Sequence, residues 1–298
     1  MSTTTTSSRP SAAPAFDAQK YKTTTTEQWQ GAAAAWHGWG PVIDAWLAES
    51  TEAMLDLAGV GAGSRVLDVA AGAGGQTVAA ARRVGPDGSV LATDVSSNLL
   101  AYAKHSARMA GLGDVVDAEM MDGEDLTVEA GTFDSVISRV GLIYFPDRQR
   151  ALEGMRRTLR PGGRFSAVTY SSPEANKFFS IPVSVIRAAA KLPAPAPGQP
   201  GPFSLGNEDV LRAALEDAGF VDVEIRRIQA PLRLPSAADC VLFERESFGA
   251  LHQLMGPLSA EDREATWARI TEELAKFEGS DGFVGPCEVL VAGAVNPS

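Results

Sequence analysis

The chain has 298 residues, of which 45% are hydrophobic and 21% charged, and its net charge is −11. These values are ordinary for a globular protein with one large core. The acidic balance argues against a nucleic-acid partner, because such a surface repels phosphate groups. The two cysteines, Cys240 and Cys287, lack metal-ligand spacing and predict a reduced, cytoplasmic protein. We expect no membrane span, since no apolar run approaches roughly 18 residues.

The N-terminal region divides into two segments. Residues 1–14 are rich in Ser, Thr, Ala and Pro, and they predict a disordered tail rather than a signal peptide. Residues 15–60 are predicted to be helical and contain six aromatic residues. Pro41 predicts the start of a helix over 42–57, since proline suits the first helical turn.

From Arg65 onward, short apolar runs alternate with helical patterns. This alternation predicts an α/β fold, with a parallel sheet covered by helices on both faces. The predicted strands are 66–69, 89–93, 115–120, 133–138, 164–170, 221–229 and 286–294. The predicted helices are 75–84, 96–111, 147–159, 207–218, 236–255 and 259–278.

The stretch 171–205 interrupts the alternation. Residues 192–202 hold five prolines and two glycines, which exclude regular structure there. We therefore predict a long loop, and long loops in compact domains are usually functional or mobile.

A glycine-rich turn follows the first predicted strand, with Asp68 inside the strand and Gly72 and Gly74 in the turn. Glycines at this point let a ligand approach the backbone, and the next helix points its N-terminus at that ligand. Asp94 ends the second strand, about 20 residues further on, where a carboxylate can accept hydrogen bonds from both ribose hydroxyls of an adenosine. A favourable charge at a helix N-terminus is the alternative role for Asp94.

Thr77 indicates which nucleoside binds. A dinucleotide site requires a third glycine at that position, for close helix packing. An acidic Asp68 is also out of place beside a pyrophosphate, whereas it suits a cation. S-adenosylmethionine (SAM) carries a sulfonium and an ammonium and no phosphate, and a nearby carboxylate would offset their desolvation.

These residues resemble the motifs of class I SAM-dependent methyltransferases, and within that class the quinone-biosynthesis C-methyltransferases and related small-molecule enzymes. The similarity covers residues 29–170 and depends on five ordered motifs rather than one. They are Val66-Leu67-Asp68-Val69-Ala70-Ala71-Gly72-Ala73-Gly74, Thr93-Asp94-Val95-Ser96 with Leu99, Asp122-Gly123-Glu124-Asp125-Leu126, Phe133-Asp134-Ser135-Val136, and Leu159-Arg160-Pro161-Gly162-Gly163.

The resemblance assigns SAM-binding roles to residues of these motifs. Asp94 would hold the ribose, and Asp122 would accept a hydrogen bond from the adenine amino group. Family members often close an N-terminal aromatic segment over SAM, so residues 15–60 are expected to form a lid, with simple helix packing as the alternative. The expected SAM-binding set is Asp68, Ala70, Gly72, Gly74, Asp94, Val95, Ser96, Leu99, Asp122, Gly123 and Ser138, with Tyr21, Trp29 and Trp36 in the lid.

The family also implies a Rossmann-like, seven-stranded, mostly parallel sheet of order 3-2-1-4-5-7-6, whose last strand is antiparallel. The SAM-binding domain would cover residues 61–298. Insertions near 171–205 and 236–278 would form a helical cap that lines the acceptor pocket.

The residue at the end of the fourth strand indicates which kind of methyltransferase the sequence resembles. Ser138 stands where metal-dependent relatives place an acidic ligand, so a catalytic metal is not expected. In-line methyl transfer depends mainly on positioning in a dry pocket, and it requires a base only if the acceptor loses a proton. His37 is the preferred candidate base, and Tyr144 and Arg139 are candidates to orient the acceptor. Packing is the alternative role for these last two residues.

The sequence therefore predicts a SAM-dependent methyltransferase acting on a small, largely apolar acceptor such as a quinone, polyketide, aromatic or isoprenoid-like compound. Three alternatives stay open: a SAM-fold protein with cyclase-like chemistry, a non-catalytic SAM-binding protein, and a nucleotide-dependent oxidoreductase. The acceptor, the methylated atom and the oligomeric state, monomer or homodimer, are not determined.

Overall fold

The computed structural model describes residues 16–193 and 198–297, so the predicted tail over 1–14 lies outside the described residues. The strands are β1 (Arg65–Val69), β2 (Ser89–Asp94), β3 (Val116–Met120), β4 (Phe133–Arg139), β5 (Leu159–Tyr170), β6 (Val221–Gln229), β7 (Leu232–Leu234), β8 (Glu278–Gly279), β9 (Gly282–Gly285) and β10 (Glu288–Val295). The helices are α1 (Ala18–Gly38), α2 (Gly40–Trp46), α3 (Ala48–Leu57), α4 (Gly75–Val84), α5 (Ser97–Met109), α6 (Arg148–Thr158), α7 (Lys177–Ala189), α8 (Glu208–Asp217), α9 (Ala237–Ser247), α10 (Gly249–Leu254) and α11 (Ala260–Leu274).

Seven strands form the main sheet, in the order β3-β2-β1-β4-β5-β10-β6. Strands β1 to β5 pair in parallel, and β10 runs antiparallel between β5 and β6. Because β10 is the seventh strand of this sheet in chain order, the predicted order 3-2-1-4-5-7-6 and its antiparallel last strand are confirmed. A small second sheet of order β7-β9-β8 was not predicted.

The predicted loop over 171–205 is wrong for α7, which occupies Lys177–Ala189 despite an internal proline, Pro182. This helix forms because one of its faces is apolar and buried, including Phe178, Phe179 and Ile186. The five prolines of 192–202 led to a prediction of irregular structure over the whole of 171–205. Helix α7 shows that part of this stretch is regular.

Three of the predicted helices are divided or shortened in the structure. The helix predicted over 42–57 breaks at Leu47 into α2 and α3, with Pro41 in the first turn of α2. The helix predicted over 236–255 breaks at Phe248 into α9 and α10. The helix predicted over 259–278 ends at Leu274 and is followed by a short 3₁₀ turn and β8.

The core lies between the sheet and its helices, with strands β1, β4 and β10 almost wholly buried and β5 buried from Phe165 to Tyr170. The register pairs Val69 with Thr93 and Asp68 with Ile137, so β1, β2 and β4 end at the same edge of the sheet. In parallel α/β sheets, ligands bind at the carboxyl ends of the strands, and this edge is therefore where a site is expected.

Candidate functional site

The main cavity opens at this edge and holds about 1060 Å³ of space, including its mouth. The lining residues come from α1, from the ends of β1 to β5 and from the junction of α9 and α10. They are Lys22, Thr25, Thr26, Trp29, Trp36, Leu47, Ala70, Ala71, Gly72, Gln76, Asp94, Val95, Leu99, Met121, Asp122, Gly123, Arg139, Val140, Gly141, Tyr144, Phe145, Pro146, Tyr170 and Phe248.

The glycine-rich turn places Asp94 at the cavity wall. One Asp94 carboxylate oxygen accepts a hydrogen bond from the Gly72 amide at 2.9 Å, and the other accepts one from the Ser96 amide at 2.9 Å. Burial raises the pKa of Asp94, while these amides act in the opposite direction. The carboxylate is thus fixed in orientation, and each oxygen keeps a lone pair for a further donor.

Asp68 occupies a different place from the one expected. Its side chain is fully buried and does not line the cavity. The carboxylate accepts hydrogen bonds from Thr77 Oγ1 at 2.6 Å and from Gln76 Nε2 at 3.2 Å. Burial raises its pKa to about 6. Asp68 therefore orients Gln76, which does line the cavity, and Thr77 provides the hydroxyl that partners the buried carboxylate.

Asp122 and Gly123, at the end of β3, both line the cavity. Asp122 accepts a hydrogen bond from the Glu124 amide at 2.9 Å. A side chain at Gly123 would collide with the Phe145 ring, since a Cβ there would lie 2.5 Å from Phe145 Cζ. The absence of a side chain lets the backbone and this ring form a narrow, flat wall beside Asp122.

Helix α1 covers the cavity from above. Trp29 lies at the centre of an aromatic group, with its ring centroid 5.3 Å from that of Trp36 and 5.7 Å from that of Tyr144. The Trp36 indole lies over Gly72, 3.3 Å from the position that a Cβ would take. Tyr21 does not line the cavity, and its ring instead packs on Phe16.

Two polar contacts fasten α1 to the rest of the site. The Lys22 ammonium lies 2.7 Å from an Asp122 oxygen and 2.5 Å from a Glu124 oxygen. About two turns further along, the Gln30 side chain accepts a hydrogen bond from Ser96 Oγ at 2.7 Å and donates one to Ser97 Oγ at 3.0 Å. Helix α1 is therefore held at both ends of the region where an adenosine would lie.

The turn after β4 mirrors the turn after β1. Val140 has a φ of 60° and Ala70 a φ of 59°, an unfavourable conformation for residues that carry a Cβ. A Cβ at Gly141 would overlap that of Ala70, so the two turns are in close contact. Arg139, the last residue of β4 before this turn, lines the cavity and donates a hydrogen bond to Thr51 Oγ1 at 3.0 Å.

Besides Asp68 and Tyr21, four more predicted site residues lie away from the cavity wall. Gly74 packs on α5, where a Cβ would lie 2.8 Å from Ala103 Cα. The Ser96 hydroxyl caps α5. Ser138 is fully buried, and its hydroxyl has no hydrogen-bond partner among the described residues. His37 stacks on Tyr102 at 4.3 Å and lines a second cavity behind the glycine turn, so it is not placed to act as a base in the main cavity.

Sequence reasoning missed several lining residues, among them Lys22, Gln76, Phe145, Tyr170 and Phe248. Tyr170 could have been predicted to line the cavity, because it is the last residue of strand β5. The other four residues depend on how segments of the fold pack together. In the part of the chain that the structure describes, no three His, Cys, Asp or Glu side chains group as a metal site would require. Within the same ranges, no helix is both long and apolar enough to cross a bilayer.

Residues 44–185 match the ubiE/COQ5 methyltransferase family. This segment, which includes strands β1 to β5, is similar to class I SAM-dependent methyltransferases of the UbiE-like branch. A ubiquinone/menaquinone biosynthesis C-methyltransferase UbiE from Hahella chejuensis is 36% identical over 119 residues, covering 40% of this chain and 48% of the relative. The corresponding protein from Cronobacter sakazakii is 29% identical over 178 residues, covering 57% and 71%.

The chain therefore spans about half the length of the first of these UbiE relatives. Among solved structures, a candidate methyltransferase from Bacillus halodurans has a TM-score of 0.58 and 21% identity, with 84% of this chain and all of that chain covered. This second similarity concerns the fold. It covers more of the chain than the segment 44–185, so the shared fold is not confined to that segment.

Proposed function

We propose that this chain is a SAM-dependent methyltransferase whose acceptor is a small, largely apolar molecule with a quinol-like or other aromatic ring. The observation that carries the proposal is that the main cavity has two chemically different ends. At one end Asp94 and Asp122 present carboxylates beside the glycine turn. At the other end the wall is largely aromatic and includes Tyr144, Tyr170 and Phe248.

The polar end fits SAM. Asp94 has both oxygens oriented by backbone amides and free lone pairs directed to the cavity, as a ribose diol requires. Val95 and Leu99 supply apolar walls for the adenine, and Asp122 an acceptor for its amino group. The part of the cavity beside Ala70 and Gln76 would receive the methionine portion of SAM. SAM, when bound there, supplies the methyl group.

The aromatic end fits a flat, apolar acceptor. Aromatic walls under α1 favour an apolar acceptor over water, and this would help to hold an acceptor carbon or oxygen against the methyl group. The UbiE relatives are C-methyltransferases of ubiquinone and menaquinone biosynthesis, and this supports a quinol-like ring as the acceptor class. Arg139 and the Tyr144 hydroxyl are the groups of this wall that we propose orient the acceptor's oxygen atoms.

Calorimetry with SAM and with S-adenosylhomocysteine tests the donor site. Wild-type protein is expected to bind both, and Asp94→Asn to weaken SAM binding by about 10- to 100-fold, as expected for the loss of a hydrogen-bonded charge. Asp114→Asn, which alters an exposed carboxylate, is the matched control. Equal affinity of both variants for SAM would refute the assigned ribose site.

Incubation with methyl-labelled SAM and a prenylated naphthoquinol, followed by mass spectrometry, tests the transfer itself. We expect one labelled methyl on the ring carbon and an equal amount of S-adenosylhomocysteine. SAM binding without a labelled product from this quinol or from a metabolite extract would instead favour a non-catalytic SAM-binding protein.

A further inference from the structure

Tyr170 carries a polar group at the aromatic end of the main cavity. It is the last residue of β5, lines the cavity and is only 2% exposed. Its hydroxyl has no hydrogen-bond partner among the described residues. Nearly all buried polar side chains in proteins are paired, because an unpaired group loses its hydration without compensation. The folded chain therefore leaves this hydroxyl in need of a partner.

The hydroxyl borders open space rather than protein. The buried side-chain oxygens of the described chain that lack both a partner and any exposed surface do not include that of Tyr170. Part of this oxygen is thus exposed, although the residue as a whole is almost fully covered. Since the main cavity is the space that Tyr170 lines, the exposed part of the hydroxyl belongs to the cavity wall.

The Tyr170 ring is held in place by other rings. It stacks on Trp46 and on Phe179, in both cases with ring centroids 6.2 Å apart. Phe178 meets the same ring at a steep angle, with its centroid 6.1 Å away. The Trp46 indole is itself fixed, because it donates a hydrogen bond to the Ala230 carbonyl at 2.7 Å. A ring packed in this way presents its hydroxyl to the cavity in a defined position.

Arg139 gives the same wall a second polar group. It pairs with Val168 across β4 and β5, and Tyr170 lies two residues beyond Val168, so the two side chains leave the sheet on the same side. Both residues line the cavity. The Arg139 guanidinium already contacts Thr51 and Asp44, whereas the Tyr170 hydroxyl contacts neither. The unpaired polar group of these two strand ends is thus the phenol.

The Tyr170 phenol is uncharged in this environment. Burial raises the pKa of its hydroxyl well above the usual range. A neutral phenol donates one hydrogen bond and can also accept one. It suits a hydroxyl or carbonyl oxygen of a ligand better than a cation.

We propose that the Tyr170 hydroxyl hydrogen-bonds an oxygen substituent on the acceptor's aromatic ring and so determines which rings the acceptor subsite takes. This inference depends on the proposed function, because it names the acceptor chemistry of the same cavity. It explains how a wall made largely of aromatic rings selects an oxygenated ring over a hydrocarbon of the same shape. A site that bonds a hydroxyl discriminates strongly against the analogue that lacks it.

Equilibrium dialysis of 1-naphthol and of naphthalene against protein saturated with S-adenosylhomocysteine tests the proposal without requiring turnover. We expect wild-type protein to bind naphthol at least about tenfold more tightly than naphthalene. Tyr170→Phe, which keeps the packed ring and removes only its oxygen, should reduce that preference to less than about threefold. Tyr102→Phe removes the same atom from a ring that stacks on His37 and does not line the main cavity, so it should keep the wild-type preference.

An unchanged preference in Tyr170→Phe would overturn the proposal, and so would wild-type protein that binds the two ligands equally or does not bind naphthol. The affinity for S-adenosylhomocysteine should be the same in wild type and Tyr170→Phe, since a loss there would place the hydroxyl in the donor site instead. Failure of S-adenosylhomocysteine to bind wild-type protein would count against the proposed function itself.

Thermal unfolding without ligands gives a second readout, which separates ligand binding from a structural role. Because the hydroxyl is unpaired in the folded chain, its removal should leave Tm unchanged or higher. A lower Tm of Tyr170→Phe, or a failure of this variant to fold, would mean that the hydroxyl has a partner within the protein, and this would refute the proposal.

Discussion

Replacing Lys22 by methionine tests whether α1 acts as a lid over SAM. The Lys22 ammonium bridges Asp122, whose side chain is 36% exposed, and Glu124, whose side chain is 4% exposed. Methionine keeps the length and apolar stem of the side chain and removes its charge. Glu124 still accepts the Asp147 amide at 2.8 Å, so the variant does not leave that carboxylate without a donor.

The two contacts differ in strength. The exposed bridge to Asp122 contributes about 0.2–1 kcal/mol, whereas the buried bridge to Glu124 contributes about 1.5–3 kcal/mol. If α1 closes only over bound SAM, about 2 kcal/mol of this favours the complex, and its loss raises the SAM dissociation constant about 30-fold. We expect most of the change in the dissociation rate.

Stopped-flow displacement of SAM from wild type, Lys22→Met and Lys20→Met measures that rate. Lys20 lies on the same helix, is exposed and forms no ion pair in the described chain, so its variant removes the same charge without the bridge. Loss of a positive charge by itself would favour the cationic SAM. Weaker binding in Lys22→Met alone therefore indicates lost closure, and equal behaviour of the two variants would refute the lid.

Two further substitutions test the glycine turn and its buried carboxylate. Gly74→Ala should destabilise the fold by about 3 kcal/mol and lower Tm by roughly 6–12 °C, because Gly74 has a φ of 90° and faces Ala103. Gly31→Ala, in the open interior of α1, should instead stabilise by about 0.5–1 kcal/mol, and equal Tm shifts in calorimetry would contradict this. Asp68→Asn tests the pKa of about 6 against an unfolded value of 3.8. The stabilisation from the protonated Asp68 is fully present below pH 3.8 and is lost as the pH rises through about 6. The free energy of unfolding of Asp68→Asn should therefore rise by about 3 kcal/mol relative to wild type between about pH 4 and pH 7, and urea unfolding measured across this range would contradict this if the two proteins changed in parallel.

Much of the fold follows from local sequence patterns. The seven strands of the main sheet appear where short apolar runs predict them, and the glycine turn follows β1 as expected. Asp94 lies at the cavity wall beside the glycine turn, since the ends of adjacent parallel strands must meet at one edge of the sheet. Helix α7 was not predicted because the prolines beyond it dominated the local signal, whereas its buried apolar face depends on packing against α10 and α11, which come much later in the chain.

The sequence by itself determined the alternation of strands and helices, the glycine turn and the spacing to Asp94, because these depend on residues close together in the chain. Only the tertiary structure decided which side chains meet in the cavity. Lys22 reaches Asp122 across 100 residues, and Trp36 packs on Phe248, which lies far later in the chain, with ring centroids 5.8 Å apart. Asp68 also turns away from the cavity towards Gln76 and Thr77, which are only eight and nine residues further along, and that outcome depends on how α4 packs against β1 in the folded protein.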